Sequence, residues 1–310
     1  MLSRRAFLPS LLLPAALAAQ PLLPTIPPAT IDDNLDVEGD PLEAERRRSR
    51  LFIEAYVNDS GPWRFLVDSG ADRSVVSTDL AAALALPPAG EAMLQSMAGR
   101  SLVSTVRVER LRIGESIATN LRVPALPAAF IGADGLLGID ALAAQRILLD
   151  YQRRRVTVQP SDTAIVQRDD GDEIVVTARR RGGQLIITQV RADGLPLYAV
   201  IDSGSEVTLG NMALAERLFR RRQLTDPQKI TMTSVTGDKL VADLGILPEL
   251  RIGKLGLRDL PIAFADAGPF RLFGLQSRPA LLLGSDVLRV FRRVALDFGR
   301  RRVRFTLARN

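Results

Sequence analysis

Four short blocks constrain this chain more than any other feature, because each occurs twice and in the same order. Phe65-Leu66-Val67-Asp68-Ser69-Gly70 returns as Ala199-Val200-Ile201-Asp202-Ser203-Gly204, and Leu111-Arg112-Ile113-Gly114 returns as Leu250-Arg251-Ile252-Gly253. Gly135-Leu136-Leu137-Gly138-Ile139-Asp140-Ala141-Leu142 returns as Leu281-Leu282-Leu283-Gly284-Ser285-Asp286-Val287-Leu288, and Leu149-Asp150-Tyr151 with three arginines returns as Leu296-Asp297-Phe298 with three more. Self-similarity that keeps its order means two copies of one folding unit. The units run over about Arg50–Pro160 and Glu173–Leu307, with residues 161–172 as the linker between lobes 50–160 and 173–310.

Each copy reads as mostly β. Leu51–Val57 alternates as a strand, residues 58–62 form a turn, and Trp63–Val67 returns. The second copy does the same through Leu185–Val190, the turn Ala192-Asp193-Gly194 and Leu197–Ile201. Short helices are expected at Thr78–Leu86 and Met212–Arg222, with others starting at Ile139 and Ser285. Short strands, hairpin turns and few helices point to an all-β molecule with a small closed barrel in each half.

The 310 residues include no cysteine and no histidine. Those zeros exclude thiol nucleophiles, disulfides, thiolate zinc sites, Ser-His-Asp triads and His-ligated metals. Acid and base chemistry falls to Asp, Glu, Lys, Tyr or bound water. The two Asp-Ser-Gly triplets suit that need. Val67 and Ile201 end apolar strands and deliver Asp68 and Asp202 to the edge of a core, while Gly70 and Gly204 permit a sharp turn and close backbone approach. Ser69 and Ser203 are placed to hydrogen-bond across a two-fold axis. If the halves face each other, the carboxylates meet and share one proton, titrating as a pair. The ionised member then takes a proton from water and the protonated member donates to a carbonyl, which is peptide hydrolysis without metal or cofactor.

These residues resemble the aspartic proteases of the retropepsin type, in a two-copy, single-chain form. The motifs are Leu66-Val67-Asp68-Ser69-Gly70 with Leu136-Leu137-Gly138, and Val200-Ile201-Asp202-Ser203-Gly204 with Leu282-Leu283-Gly284. The resemblance spans roughly Arg50 to the C-terminus. It implies two tandem retropepsin-like barrels in a pseudo-two-fold bilobal molecule. It also implies that Asp68 and Asp202 are the catalytic pair, that Ser69, Gly70, Ala71, Ser203, Gly204 and Ser205 shape the active-site loops, and that the Leu-Leu-Gly triplets buttress them. It implies a flap in each half, with candidate tips around Gly99 and Gly237. The flap tyrosine of pepsin-like members has no counterpart. Asp72 and Glu206 are further acidic groups near the triplets, expected to raise the pair's pKa if they lie close. One chain supplies both aspartates, so the site requires no oligomer, no cofactor and no metal.

The remaining signals concern location and partners. Residues 1–19 read as an export signal: Ser3-Arg4-Arg5-Ala6-Phe7-Leu8 looks like a twin-arginine motif, Ala6–Ala19 is apolar, and Ala16-Leu17-Ala18 offers a cleavage site. A general secretory signal carrying two arginines is the alternative. Either destination is periplasmic or secreted, with no membrane span after signal removal and an arm over residues 20–49. Net charge is +6, and the Arg triplets at 46–48, 153–155, 179–181, 220–222 and 300–302 lack interleaved aromatics, so they read as solvated faces rather than a nucleic-acid site. Residues 172–180 resemble the short box of TonB-dependent receptors, which works by strand addition. The preferred reading is the first strand of the second unit, paired through Gly182-Gly183 with Leu185–Val190. The expected function is aspartic endopeptidase action on peptides or exposed protein segments. The alternative is a non-catalytic periplasmic peptide-binding or adaptor protein on the same scaffold, linked to TonB through 172–180.

Overall fold

The computed structural model describes residues 30–32, 35–37, 50–162, 173–181, 183–219 and 228–307. The export signal, most of the arm and linker, Asp172, Arg46–Arg48 and Arg220–Arg222 lie outside these residues.

After two short strands of the arm, β1 (Thr30–Asp32) and β2 (Leu35–Val37), the first unit runs β3 (Phe52–Val57), β4 (Ser60–Val67), β5 (Val75–Ser77), α1 (Thr78–Ala83), β6 (Pro88–Ser96) and β7 (Arg100–Ile113). It continues through β8 (Ser116–Leu126), α2 (Ala128–Ile131), β9 (Gly135–Leu137), α3 (Ile139–Leu142), β10 (Gln145–Asp150) and β11 (Arg155–Pro160). Strand β12 (Glu173–Arg181) precedes the second unit: β13 (Gln184–Ala192), β14 (Leu195–Ile201), β15 (Leu209–Gly210), α4 (Met212–Phe219), β16 (Gln228–Ser234) and β17 (Lys239–Ile252). Then follow β18 (Leu255–Phe264), α5 (Gly268–Leu272), β19 (Ala280–Leu283), α6 (Ser285–Leu288), β20 (Phe291–Asp297) and β21 (Arg302–Leu307). From β3 to β11 and from β13 to β21, strands and helices follow one another in the same sequence, as the repeated blocks require.

Local chemistry repeats with the elements. The β3–β4 turn holds Asn58 and Asp59 at φ of 48° and 65°, and the β13–β14 turn holds Asp193 and Gly194 at 48° and 79°. Two residues at positive φ make the primed turn that matches strand twist, and Asn, Asp and Gly tolerate it best. Ser77 Oγ caps α1 by accepting from Leu80 N at 3.0 Å, and Asn211 Oδ1 caps α4 by accepting from Leu214 N at 2.9 Å.

Each unit closes on itself. In the first, β7-β3-β4-β9-β5-β8 is a ring sealed by the β7–β8 pairing, and in the second β13-β14-β19-β15-β18-β17 is sealed by β13–β17. Closure removes the sheet edges. A composite sheet then ties the units together, because β10 pairs antiparallel with β20 (Ile147↔Leu296, Leu149↔Val294), each flanked by its own hairpin partner. One apolar core, including Val67, Ile147, Leu149, Ile201, Leu296 and Phe305, continues across this junction. In β12, residues Glu173–Thr177 pair with β21 and Ala178–Arg181 pair with β13, which is the hairpin read from the sequence with a second partner added. Among the described residues, no helix is long and apolar enough to cross a membrane.

Candidate active site

The two Asp-Ser-Gly loops meet at the lobe junction and lock there by four hydrogen bonds. Ser69 N donates to Ser203 Oγ at 3.1 Å and Ser203 N donates to Ser69 Oγ at 3.0 Å. Ser69 Oγ donates to the carbonyl of Ile201 at 2.9 Å, and Ser203 Oγ to that of Val67 at 2.8 Å. Each hydroxyl thus both accepts and donates across the pseudo-two-fold. Both aspartates are fully buried. Asp68 Oδ1 accepts from the amides of Gly70 (2.8 Å) and Ala71 (3.1 Å), and Asp202 Oδ1 accepts from those of Gly204 (3.1 Å) and Ser205 (2.9 Å). The Asp68 carboxyl lies directly against Gly204: a Cβ there would stand 2.2 Å from Oδ2. Glycine is required at this point by contact with the opposite lobe.

The Leu-Leu-Gly triplets stand behind these loops. β9 runs parallel to β4 with Leu136 beside Leu66 and Leu137 beside Val67, and β19 runs parallel to β14 with Leu282 beside Val200 and Leu283 beside Ile201. Asp68 N donates to Leu137 O and Asp202 N to Leu283 O, both at 3.1 Å. At Gly138 an added Cβ would meet the Arg73 backbone at 2.3 Å, and at Gly284 the Val207 backbone at 2.7 Å. Ile139 N donates to Ala71 O at 2.9 Å and Ser285 N to Ser205 O at 2.8 Å, which pins the far end of each loop.

Several contributors escaped the sequence reading. Asp140 accepts from both the amide and hydroxyl of Ser74 (2.8 and 2.7 Å), and Asp286 does the same for Thr208 (2.9 and 2.6 Å). The same hydroxyls accept from Gly138 N and Gly284 N. Burial pushes both carboxyls above the ordinary aspartate value. The signal was in the repeated blocks, where an Asp follows each Leu-Leu-Gly by two residues. Tyr151 was also missed. Burial raises its phenol, and the charges of Asp286 and Asp202 raise it further.

Asp72 and Glu206 stand at matching places, and each is engaged by the other lobe. Glu206 forms a buried ion pair with Arg50, Nε to Oε1 at 2.7 Å. Asp72 Oδ1 instead accepts from the amide nitrogen of Gln184 at 3.3 Å, and that nitrogen also donates to Gly70 O at 2.9 Å. Arg50 lies just before the first strand of its unit and Gln184 opens the first strand of the other, and the two carry different chemistry, so the two-fold is broken at this pair. Burial pushes Asp72 up to about 6, against the Gln184 hydrogen bond and the Arg73 charge. Burial likewise pushes Asp68 up to about 6, opposed by the Gly70 and Ala71 amides and the Arg50 charge. Desolvation is thus the largest cause of the Asp68 shift.

The candidate flap turns are Met97–Gly99 between β6 and β7 and Val235–Asp238 between β16 and β17. The tips cross. Met97, fully buried, belongs to the apolar cluster of the second lobe with Val200, Val207 and Phe270, and its carbonyl accepts from Gly268 N at 2.9 Å. Val235, also fully buried, belongs to the first-lobe cluster with Leu66, Ala71 and Leu136, and Gly237 abuts Phe130. Ser101 Oγ donates to Asp238 Oδ2 at 2.8 Å and joins one flap to the other.

The aspartyl protease family model matches residues 53–141 and 188–287. This chain belongs to the aspartyl protease family. The two matched segments begin in β3 and β13 and end in α3 and α6, so each contains one aspartyl protease loop with its Leu-Leu-Gly support. No curated protein matches the chain.

Proposed function

We propose that this protein is an aspartic endopeptidase that hydrolyses extended peptides or exposed protein segments, with Asp68 and Asp202 as a shared catalytic pair. One observation carries the reading: the crossed Ser69/Ser203 lock holds two buried aspartates at a single junction, each with one oxygen fixed by two amides. Two amides orient each carboxyl through one oxygen, and we assign the chemistry to the second oxygen of each. One proton on the pair lets one member act as acid while the other acts as base on water. Water attacks the scissile carbonyl carbon, its proton passes to the ionised carboxylate, and the protonated carboxyl donates to the carbonyl oxygen. Collapse of the tetrahedral species breaks the C–N bond as a proton moves to the leaving nitrogen. The crossed flaps would close over the substrate and exclude water. The N-terminal Arg-Arg and apolar stretch support a periplasmic setting.

The raised Asp68 sets the direction of the pH dependence. With its carboxyl near 6, the proton the mechanism needs is lost as pH rises through that value. Cleavage of a peptide substrate is expected to be greatest at acidic pH and to fall about tenfold per pH unit above about 6. Steady-state kcat/KM from pH 4 to 8 measures this. A rate that climbs through pH 7 and 8 would contradict the shared-proton mechanism.

A further inference from the structure

The two arm strands lie along the two flaps in equivalent places. β1 pairs with β6 through Thr30↔Leu94, Ile31↔Gln95 and Asp32↔Ser96, and β2 pairs with β16 through Val37↔Met232, Asp36↔Thr233 and Leu35↔Ser234. Residues 94–96 and 232–234 are the same three positions of the repeat, immediately before each flap tip. Their outer edges take the arm, since the inner edges pair with β7 and β17. The sense of pairing is informative: β1 is parallel to its flap and β2 is antiparallel. A two-fold axis reverses strand direction across it. A single peptide passing both flaps must therefore run parallel to one and antiparallel to the other, which is the pattern seen.

We propose that the arm segment carrying β1 and β2 is an internal occupant of the peptide cleft, held by strand addition to both flaps in the manner of a bound substrate. This rests on the cleft between flaps and aspartates being the peptide site. Chemistry and reach agree. Residues 30–45 hold seven acidic residues and no basic one, whereas 39 of the 41 Lys and Arg lie from residue 46 onward, against 28 of the 35 acids. The arm is thus acidic in a chain whose remainder is net basic. Twelve residues, 38–49, separate β2 from Arg50 and span up to roughly 40 Å when extended, ample to return the chain to the lobes. A tether of that length holds its segment at an effective concentration on the order of millimolar. The cleft accordingly prefers extended, acidic peptide, and the arm restrains access to it.

The test uses the full chain and an Ile31→Pro/Asp32→Pro/Leu35→Pro/Asp36→Pro variant, in which two consecutive prolines in each arm strand remove a ladder amide whichever of the two faces the flap. Amide exchange at 94–96 and 232–234 is expected to quicken at least tenfold in the variant, with β9 and β19 unchanged. In an Asp68→Asn background, calorimetry is expected to show a synthetic peptide of residues 28–39 binding the variant and not the arm-intact chain. The same peptide with its acids replaced by lysine should bind at least tenfold more weakly. For a cleaved peptide, KM should fall at least tenfold in the variant with kcat unchanged. Unchanged exchange, equal or absent peptide binding in both forms, or indifference to the lysine replacements would overturn the proposal. Exchange and binding as expected, with no cleavage by any form, would leave the arm in the cleft and overturn the endopeptidase reading instead.

Discussion

Asp68→Asn is expected to abolish peptide cleavage, by at least about a thousandfold, while making the protein more stable at neutral pH. The loss follows because an amide supplies neither the base nor the shared proton. The gain follows from linkage. Asp68 is fully buried and its carboxyl is raised from 3.8 to about 6. Between those values the native state keeps a proton that the unfolded chain has released, so stability falls as pH rises across that window. Above about 6 the whole penalty, about 3 kcal/mol at most, is in place. Asparagine removes it and still offers an oxygen to the Gly70 and Ala71 amides. Thermal melts at pH 7.5 should show the variant several degrees above wild type, with the two converging near pH 4. Asp72, also raised to about 6, keeps part of the wild-type pH dependence in the variant. A variant that melts lower at pH 7.5, or that cleaves at wild-type rate, would contradict this account of Asp68.

Gly204→Ala is expected to damage the molecule without removing any reacting group. Its new Cβ would stand 2.2 Å from Asp68 Cγ, a carboxyl that two amide hydrogen bonds and complete burial prevent from yielding. Either the locked loops separate or the aspartate leaves its position. Overpacking of this severity costs on the order of 3 kcal/mol, which lowers the melting temperature by more than about 5 °C and takes activity with it. Gly99→Ala is the matched control, since nothing lies within 4 Å of its added carbon, and its melt should stay within about 1 °C of wild type. Equal tolerance of both substitutions would mean that the loops do not meet as described.

The triplets, their Leu-Leu-Gly supports and the flap turns were legible because short-range pattern and repeat register reinforce each other there. Each lies within one unit, and each recurs in the other. What the sequence concealed was partner choice between units. Nothing local in Arg50 or Gln184 announces Glu206 or Asp72, and the repeat hides the pair because the two positions carry different chemistry. Asp140 and Asp286 recur faithfully, yet an Asp two residues beyond a glycine reads as a helix start until Ser74 and Thr208 are seen donating to them. The apolar tips Met97 and Val235 were the visible trace of crossed flaps, since an exposed turn rarely wants a large apolar side chain. The pairing of β10 with β20 depends on how closed barrels dock, which strand propensity does not encode.

The central claim is that two loops from two lobes make one hydrolytic site. The most direct measurement is digestion of a mixed peptide library from pH 4 to 7, read by mass spectrometry, with wild type, the arm-disrupted variant, and Asp68→Asn and Asp202→Asn each introduced into both. Cuts that appear at acidic pH, strengthen when the arm is disrupted and vanish with either aspartate are the expected result. Cuts that survive either substitution, or no cuts from the arm-disrupted protein at any pH, would contradict it.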